Sequence, residues 1–194
     1  MKNKVILITG ANKGIGKTLS LEFSKMGVNI VLLGRNEESL DSLYDEIITT
    51  TSTKPLIIKC DLSDIDNKSA KQINDEIMGV YGKLDGVIFN AAKLGKMSTI
   101  EDYEEDIWKE VFNINLHSAF IISKEILPAL KAAPNGRIIF TSSGVAEVGK
   151  AFWVKIEAVT FRLLLNFRSI PRSITTFVEA LPSNLGRLLV GYSS

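Results

Sequence analysis

The chain has a single cysteine, Cys60, and a single histidine, His117. One thiol cannot close an internal disulfide, and a lone imidazole leaves no partner for a Cys/His zinc site, so disulfide-framework and zinc-finger folds are excluded. Net charge is small as well: 23 basic against 22 acidic residues give +1, without the Lys/Arg excess of a dedicated nucleic-acid binder. Long apolar runs are missing. Residues 5–8 are far too short for a signal-peptide core, and no stretch approaches the ~18 apolar residues of a membrane span. The expectation is a cytoplasmic protein with no membrane or nucleic-acid partner. What is present suits that class: 194 residues, 45% of them hydrophobic, suffice for one domain whose core needs neither cross-link nor metal.

The charge total conceals a division. Residues 1–153 hold 18 basic and 20 acidic side chains, with Lys outnumbering Arg 16 to 2. Residues 154–194 hold five basic and two acidic side chains, and four of those five are Arg.

Within the first 153 residues, short β-branched runs alternate with segments of helical period. KVILIT (4–9) reads as a buried strand, and residues 15–26 place Ile15, Leu19 and Phe23 on one helical face. NIVLL (29–33) is a second strand. It is followed by a helix over 37–48 with Leu40, Leu43, Tyr44 and Ile47 inward. PLIIKC (55–60) is a third strand, and residues 64–80 form a third helix with Ile73, Ile77 and Val80 inward. Residues 84–89 supply a fourth strand, 107–127 a continuous helix through Ile107, Val111, Ile114 and Ala119, and RIIFT (137–141) a fifth strand. Such alternation specifies parallel βαβ units, because parallel neighbours need crossover helices that cover both sheet faces. The expected fold is α/β, a doubly wound parallel sheet in a Rossmann-like three-layer αβα arrangement over residues 1–153. Ligands then belong at the carboxyl edge of the sheet, at Thr9/Gly10, Gly34/Arg35, Cys60/Asp61, Asn90/Ala91 and Ser142/Ser143.

Between the first strand and the first helix stands Thr9-Gly10-Ala11-Asn12-Lys13-Gly14-Ile15-Gly16. Glycines so spaced permit a tight turn, a close backbone approach to a ligand and tight helix-on-strand packing. Amides opening the helix can then hold a pyrophosphate, helped by the helix dipole. A P-loop is disfavoured: its first glycine would fall on Ala11. At the end of the second strand, where an NAD site usually carries an acid, stands Arg35, with Lys13 in the turn as a second cation. A guanidinium can pair with a 2′-phosphate, which favours NADP(H) over NAD(H). The alternative for Arg35 is a surface charge paired with Glu37 or Glu38.

Taken together, these residues resemble the short-chain dehydrogenase/reductase superfamily, whose cofactor turn reads Thr-Gly-x-x-x-Gly-x-Gly. Asp61-Leu62 looks like the family's adenine-contacting pair. Phe89-Asn90-Ala91-Ala92 is similar to its Asn-Asn-Ala-Gly motif, with Phe89 and Ala92 as departures expected to tighten the groove. Asn115 matches the catalytic Asn and Ser143 the catalytic Ser that ends the fifth strand. The resemblance implies cofactor contacts at Thr9, Gly10, Asn12, Lys13, Gly14, Ile15, Gly16, Arg35, Asp61, Leu62, Asn90, Ala91 and Ala92. It also implies a small carbonyl or alcohol as substrate and, for many relatives, homo-oligomers.

In that family a Tyr carries the proton, and a Lys four residues later shares its helical face and lowers its pKa. At the family's usual offset of thirteen residues from Ser143 the Tyr position falls on Ile156, and the Lys position on Thr160. The tyrosines are Tyr44, Tyr81, Tyr103 and Tyr192, and none is followed by a Lys four residues on. The break coincides with the change to Arg-rich composition. Beyond it no sixth strand is evident, and residues 154–194 are expected to be an atypical, aberrant or frame-shifted tail that leaves the fold incomplete and forms no second domain. Three functions compete: an NADP-dependent oxidoreductase, a catalytically silent NADP(H)-binding module, and a nonfunctional fragment with an open sheet edge. For the remaining singular residues, Trp108, Trp153 and Cys60 are expected to be buried, His117 to be a surface or packed residue rather than a catalytic one, and the acidic run 101–106 to be a solvated helix start.

Overall fold

A computed structural model describes residues 1–143, 175–180 and 189–190, with side chains described for residues 1–141. The elements alternate as the hydrophobic pattern requires. They are β1 (Val5–Thr9), α1 (Gly14–Lys25), β2 (Asn29–Gly34), α2 (Glu37–Thr50), β3 (Leu56–Lys59), α3 (Asn67–Tyr81), β4 (Gly86–Phe89), α4 (Glu105–Phe112), a π-helical turn (Asn113–His117), α5 (Ser118–Ala132), β5 (Arg137–Ser143), β6 (Thr175–Ala180) and β7 (Leu189–Val190). The sheet order is β3-β2-β1-β4-β5-β6-β7. All neighbours are parallel except the last pair.

Strand alternation splits the core in two. Val5 and Leu7 of β1, with Val31 and Leu33 of β2, join the cluster beneath α3 and α5. Ile6 and Ile8, with Ile30 and Leu32, join the cluster beneath α1 and α2. Successive side chains of a strand point to opposite faces, so strands buried on both sides must be apolar at every position. The helix starts are set by local chemistry: Asn36 accepts the Ser39 N–H at 2.8 Å to cap α2, and Asp66 accepts the Ser69 N–H at 2.7 Å to cap α3. Gly82, at φ 65°, ends α3 in the left-handed conformation.

Several expectations need correction. The helix expected over 107–127 is interrupted by the π turn, whose wider spacing re-aims the residues it carries. α1 buries Gly16, Ser20 and Ser24, while Leu19 and Phe23 are half-buried and Ile15 is exposed, because small residues let the helix approach the sheet closely. Val80 is exposed in the last turn of α3, two residues before the cap at Gly82. Trp108 is partly exposed, edge-on to Tyr103 and stacked on Phe112 at the surface of α4. A sixth strand is present: TTFVEA, within the segment set apart as an atypical tail, runs parallel to β5 from Ile138↔Thr175 to Ser143↔Ala180. Its β-branched and aromatic content supports that pairing, and it covers the β5 edge. The expected positions of the missing Tyr and Lys, 156 and 160, lie outside the described residues, as does Trp153.

Candidate cofactor site

The chain winds from β1 outward through β2 to β3, then returns to place β4 on the other side of β1. This reversal opens a crevice at the carboxyl ends of β1 and β4. A groove of about 470 Å³ occupies it, lined by the β1–α1 turn and by residues following β2, β3 and β4.

The turn is shaped by its glycines. Gly10 and Gly14 adopt φ of 63° and 45°, conformations that resist a side chain. A Cβ on Gly16 would lie 2.2 Å from the Gly10 carbonyl oxygen and 2.7 Å from Asn90 Nδ2, whereas one on Gly14 would meet nothing within 4 Å. Gly16 therefore allows α1 to pack onto the turn, and Gly14 leaves the backbone open to the groove. The residue preceding α1 is Lys13, which makes no side-chain cap, and the first turn of α1 has no acid to compete with an anionic ligand. Asn12 donates to Ser39 Oγ at 2.6 Å, tying the turn to the start of α2.

Thr9 is buried below the groove. Its hydroxyl accepts the backbone N–H of Asn90 and Ala91 at 3.0 and 3.1 Å, joining the ends of β1 and β4. Thr9 and Gly16 thus support the groove from behind, while Gly10, Asn12, Lys13, Gly14, Ile15, Arg35, Asp61, Leu62, Asn90, Ala91 and Ala92 line it. Phe89 does not narrow the groove. It is buried and stacked on Phe140, with ring centroids 5.1 Å apart.

Arg35 is exposed at the β2 end and forms no ion pair among the described residues. Glu37, considered from sequence as its partner, is instead paired with Lys59 at 2.6 Å. Asp61 accepts the Ser63 N–H and hydroxyl at 2.9 and 2.8 Å. Those hydrogen bonds, then the charges of Arg35 and Lys93, hold its carboxyl below the usual carboxylate range. Cys60 stands just past β3 and lines the groove, half-buried, where burial and the nearby carboxylates of Asp61 and Asp66 push its thiol up to about 11.

The π turn fastens two of these loops. Asn113 Nδ2 donates to the Ser63 carbonyl at 3.0 Å. Asn115 accepts the Lys93 N–H at 2.8 Å and donates to the Lys93 carbonyl at 2.9 Å. The amide of Asn115 is thereby engaged with backbone, which makes it a positioning residue for the loop after β4. Ser143 ends β5 opposite Ala180, and its side chain is outside the described residues. Sequence reasoning did not select Gly34, Asn36, Cys60, Lys93 or Ile114 as ligand contacts, although all five line the groove. The ends of β2 and β3 already pointed to Gly34 and Cys60, whereas Lys93 and Ile114 depend on tertiary placement.

The groove residues fit a dinucleotide: the backbone at Gly14 is open to the groove, and Lys13 and Arg35 line it without an ion pair among the described residues. Among the described residues, no helix is long and apolar enough to cross a membrane and no cluster of potential ligands could hold a metal ion.

Comparison with known proteins agrees with this geometry. A family model for short chain dehydrogenases matches residues 4–157. The oxidoreductase YciK of Escherichia coli K12 is 32% identical over 161 residues, an alignment spanning 83% of this chain but only 64% of YciK. A short chain dehydrogenase from Shigella flexneri, solved in complex with NADP, superposes with a TM-score of 0.81 at 31% identity, covering 87% of this chain and 71% of that one. One from Escherichia coli CFT073, solved with NADPH, gives a TM-score of 0.80 at 30% identity, covering 87% of this chain and 73% of that one. With the family model matching most of its length, the chain belongs to the short chain dehydrogenase family.

Proposed function

We propose that this groove binds NADP(H) in preference to NAD(H), and that the chain transfers hydride to or from a carbonyl or alcohol weakly or not at all. The observation that carries the cofactor reading is the β2 end. Among the described residues Arg35 stands there without an ion-pair partner, Lys13 faces the same groove, and no acid occupies residues 34–36 to hold a ribose 2′-hydroxyl. The NADP and NADPH complexes of the two similar structures support the same choice. Bound in this groove, the nicotinamide would supply the hydride; the protein must supply the matching proton.

That second requirement is where this sequence departs from its family. Free phenols titrate near ~10, so a tyrosine useful near neutrality needs a neighbouring cation. Tyr44 lies on α2, and Tyr81 donates to the Lys54 carbonyl beside the start of β3. The Tyr103 hydroxyl is engaged by the Lys96 N–H at 3.3 Å, and Tyr192 lies outside the described residues. Losing a positioned general acid typically costs about 10²–10⁴ in rate. A cofactor-binding module without turnover is therefore favoured over a working reductase.

The test pairs two measurements on the same preparation. Thermal midpoint should rise with NADPH more than with NADH, while NADPH oxidation in a panel of aldehydes and ketones stays near background. Robust oxidation refutes the silent-module reading; a folded protein with no response to NADPH refutes the cofactor reading.

A further inference from the structure

Lys93 belongs to no motif singled out in the sequence, yet it is the most firmly mounted cation in the groove. Its backbone N–H and carbonyl are both held by the Asn115 amide, at 2.8 and 2.9 Å. Gly95, at φ 79°, then turns the chain away two residues later. The side chain therefore leaves from a fixed point on the groove wall. Its ammonium pairs with Glu110 on α4, and the two side chains remain 39% and 32% exposed.

An ion pair this open to water contributes little by itself, because solvent already satisfies both charges. Glu110 can thus hold the ammonium near the groove without locking it there. A phosphate monoester or diphosphate offers more charge and several acceptor oxygens, and would compete effectively for the same ammonium. Lys93 and Arg35 both act on the Asp61 carboxylate, so the two cations influence one region of the groove. No acid from the first turn of α1 opposes them.

Resting on the assignment of this groove to a dinucleotide, we infer that Lys93 is a further cofactor-binding residue, a cation parked on Glu110 that transfers to a phosphate group of the bound dinucleotide. The phosphate concerned is either the 2′-monoester or the bridging diphosphate, and the chemistry recognised is the same. In this arrangement Glu110 competes with the ligand for Lys93. Removing the carboxylate must therefore strengthen binding, whereas removing the ammonium must weaken it. If the pair served only to brace α4 against the loop, both substitutions would act in the same direction.

The experiment titrates NADPH, NADH and adenosine 2′,5′-bisphosphate against the full chain at low and moderate ionic strength, for the wild type, Lys93→Met and Glu110→Gln. Methionine keeps the length of the stem. Lys93→Met should weaken NADPH binding by roughly 5- to 10-fold at low salt, and Glu110→Gln should tighten it by roughly 2- to 5-fold, with both effects shrinking as salt rises. A loss confined to NADPH and the bisphosphate assigns the contact to the 2′-phosphate. An equal loss with NADH assigns it to the diphosphate. The inference is overturned if both variants shift affinity in the same direction, or if both bind all three probes within twofold of the wild type. Thermal midpoints recorded in parallel separate loss of fold from loss of contact. Failure of the wild type to bind any probe defeats the cofactor assignment itself, a result distinct from unchanged affinities in the variants.

Discussion

Gly16 is where one added methyl group tests the site most severely. A Cβ there would stand 2.2 Å from the Gly10 carbonyl oxygen, a backbone atom, and 2.7 Å from Asn90 Nδ2. Carbon–oxygen contacts ordinarily begin near ~3.3 Å, so Gly16→Ala must push the start of α1 about 1 Å from the turn. Overpacking of this kind costs about 1–3 kcal/mol, while alanine regains up to ~1 kcal/mol in helix propensity. A net loss of about 0–3 kcal/mol is tolerable for a domain stable by ~5–15 kcal/mol. Binding should suffer far more. Each backbone amide lost from a phosphate removes about 1.5–3 kcal/mol, or roughly 10- to 150-fold in affinity. Thermal denaturation together with NADPH titration should report a nearly intact fold with binding weakened at least tenfold. Gly14→Ala separates strain from clash in the fold: its Cβ meets no protein atom within 4 Å but the residue adopts φ 45°, so its cost to stability is backbone strain of about 1–2 kcal/mol, while the same Cβ stands on the backbone open to the groove and should also weaken binding. Gly16→Ala binding NADPH within twofold of the wild type would refute the assignment of these amides to the phosphates.

Arg35→Ala should remove the preference for NADPH, weakening it roughly 10- to 100-fold while leaving NADH within about threefold, as measured by competition titration. Asp85, at the opposite edge of the sheet, is buried and receives hydrogen bonds from Lys4 Nζ at 2.7 Å and Val5 N at 3.0 Å. Burial is the largest influence and opposes its ionised form, but Lys4, Val5 and Lys83 together outweigh it and leave its pKa lowered. A carboxyl depressed in the folded state adds stability above its unfolded pKa near ~4, and that stability disappears as pH falls through the folded value. Asp85→Asn should therefore cost about 1–3 kcal/mol at neutral pH in urea unfolding, with the gap to wild type closing in strong acid. The Cys60 thiol, raised to about 11, should be sluggish towards iodoacetamide at pH 8, about 10²-fold slower than in the unfolded chain, and slower still with NADPH bound.

Most of the scaffold was legible because its strands are apolar at consecutive positions and its helices carry apolar residues at helical spacing. Runs such as Ile30–Leu33 leave no polar face, and the Gly10/Gly14/Gly16 spacing marks a turn whose geometry few other residues tolerate. The π turn was hidden because hydrophobic spacing from Ile107 to Ala119 stays near a helical period while the backbone hydrogen bonds shift by one residue. β6 was missed because TTFVEA is short and follows a long segment without family landmarks, so its pairing partner was visible only in three dimensions. Lys93 escaped notice for a similar reason: its importance lies in what Asn115 and Glu110 do to it, twenty-two and seventeen residues away.

The most direct test is a crystal structure of the full chain grown with NADP. The diphosphate should lie within hydrogen-bond distance, about 3 Å, of the amides that open α1, with the 2′-phosphate against Arg35. A folded protein whose groove beside Gly14 holds no dinucleotide at saturating ligand, or holds it with the phosphates turned away from those amides, would contradict the site as built here.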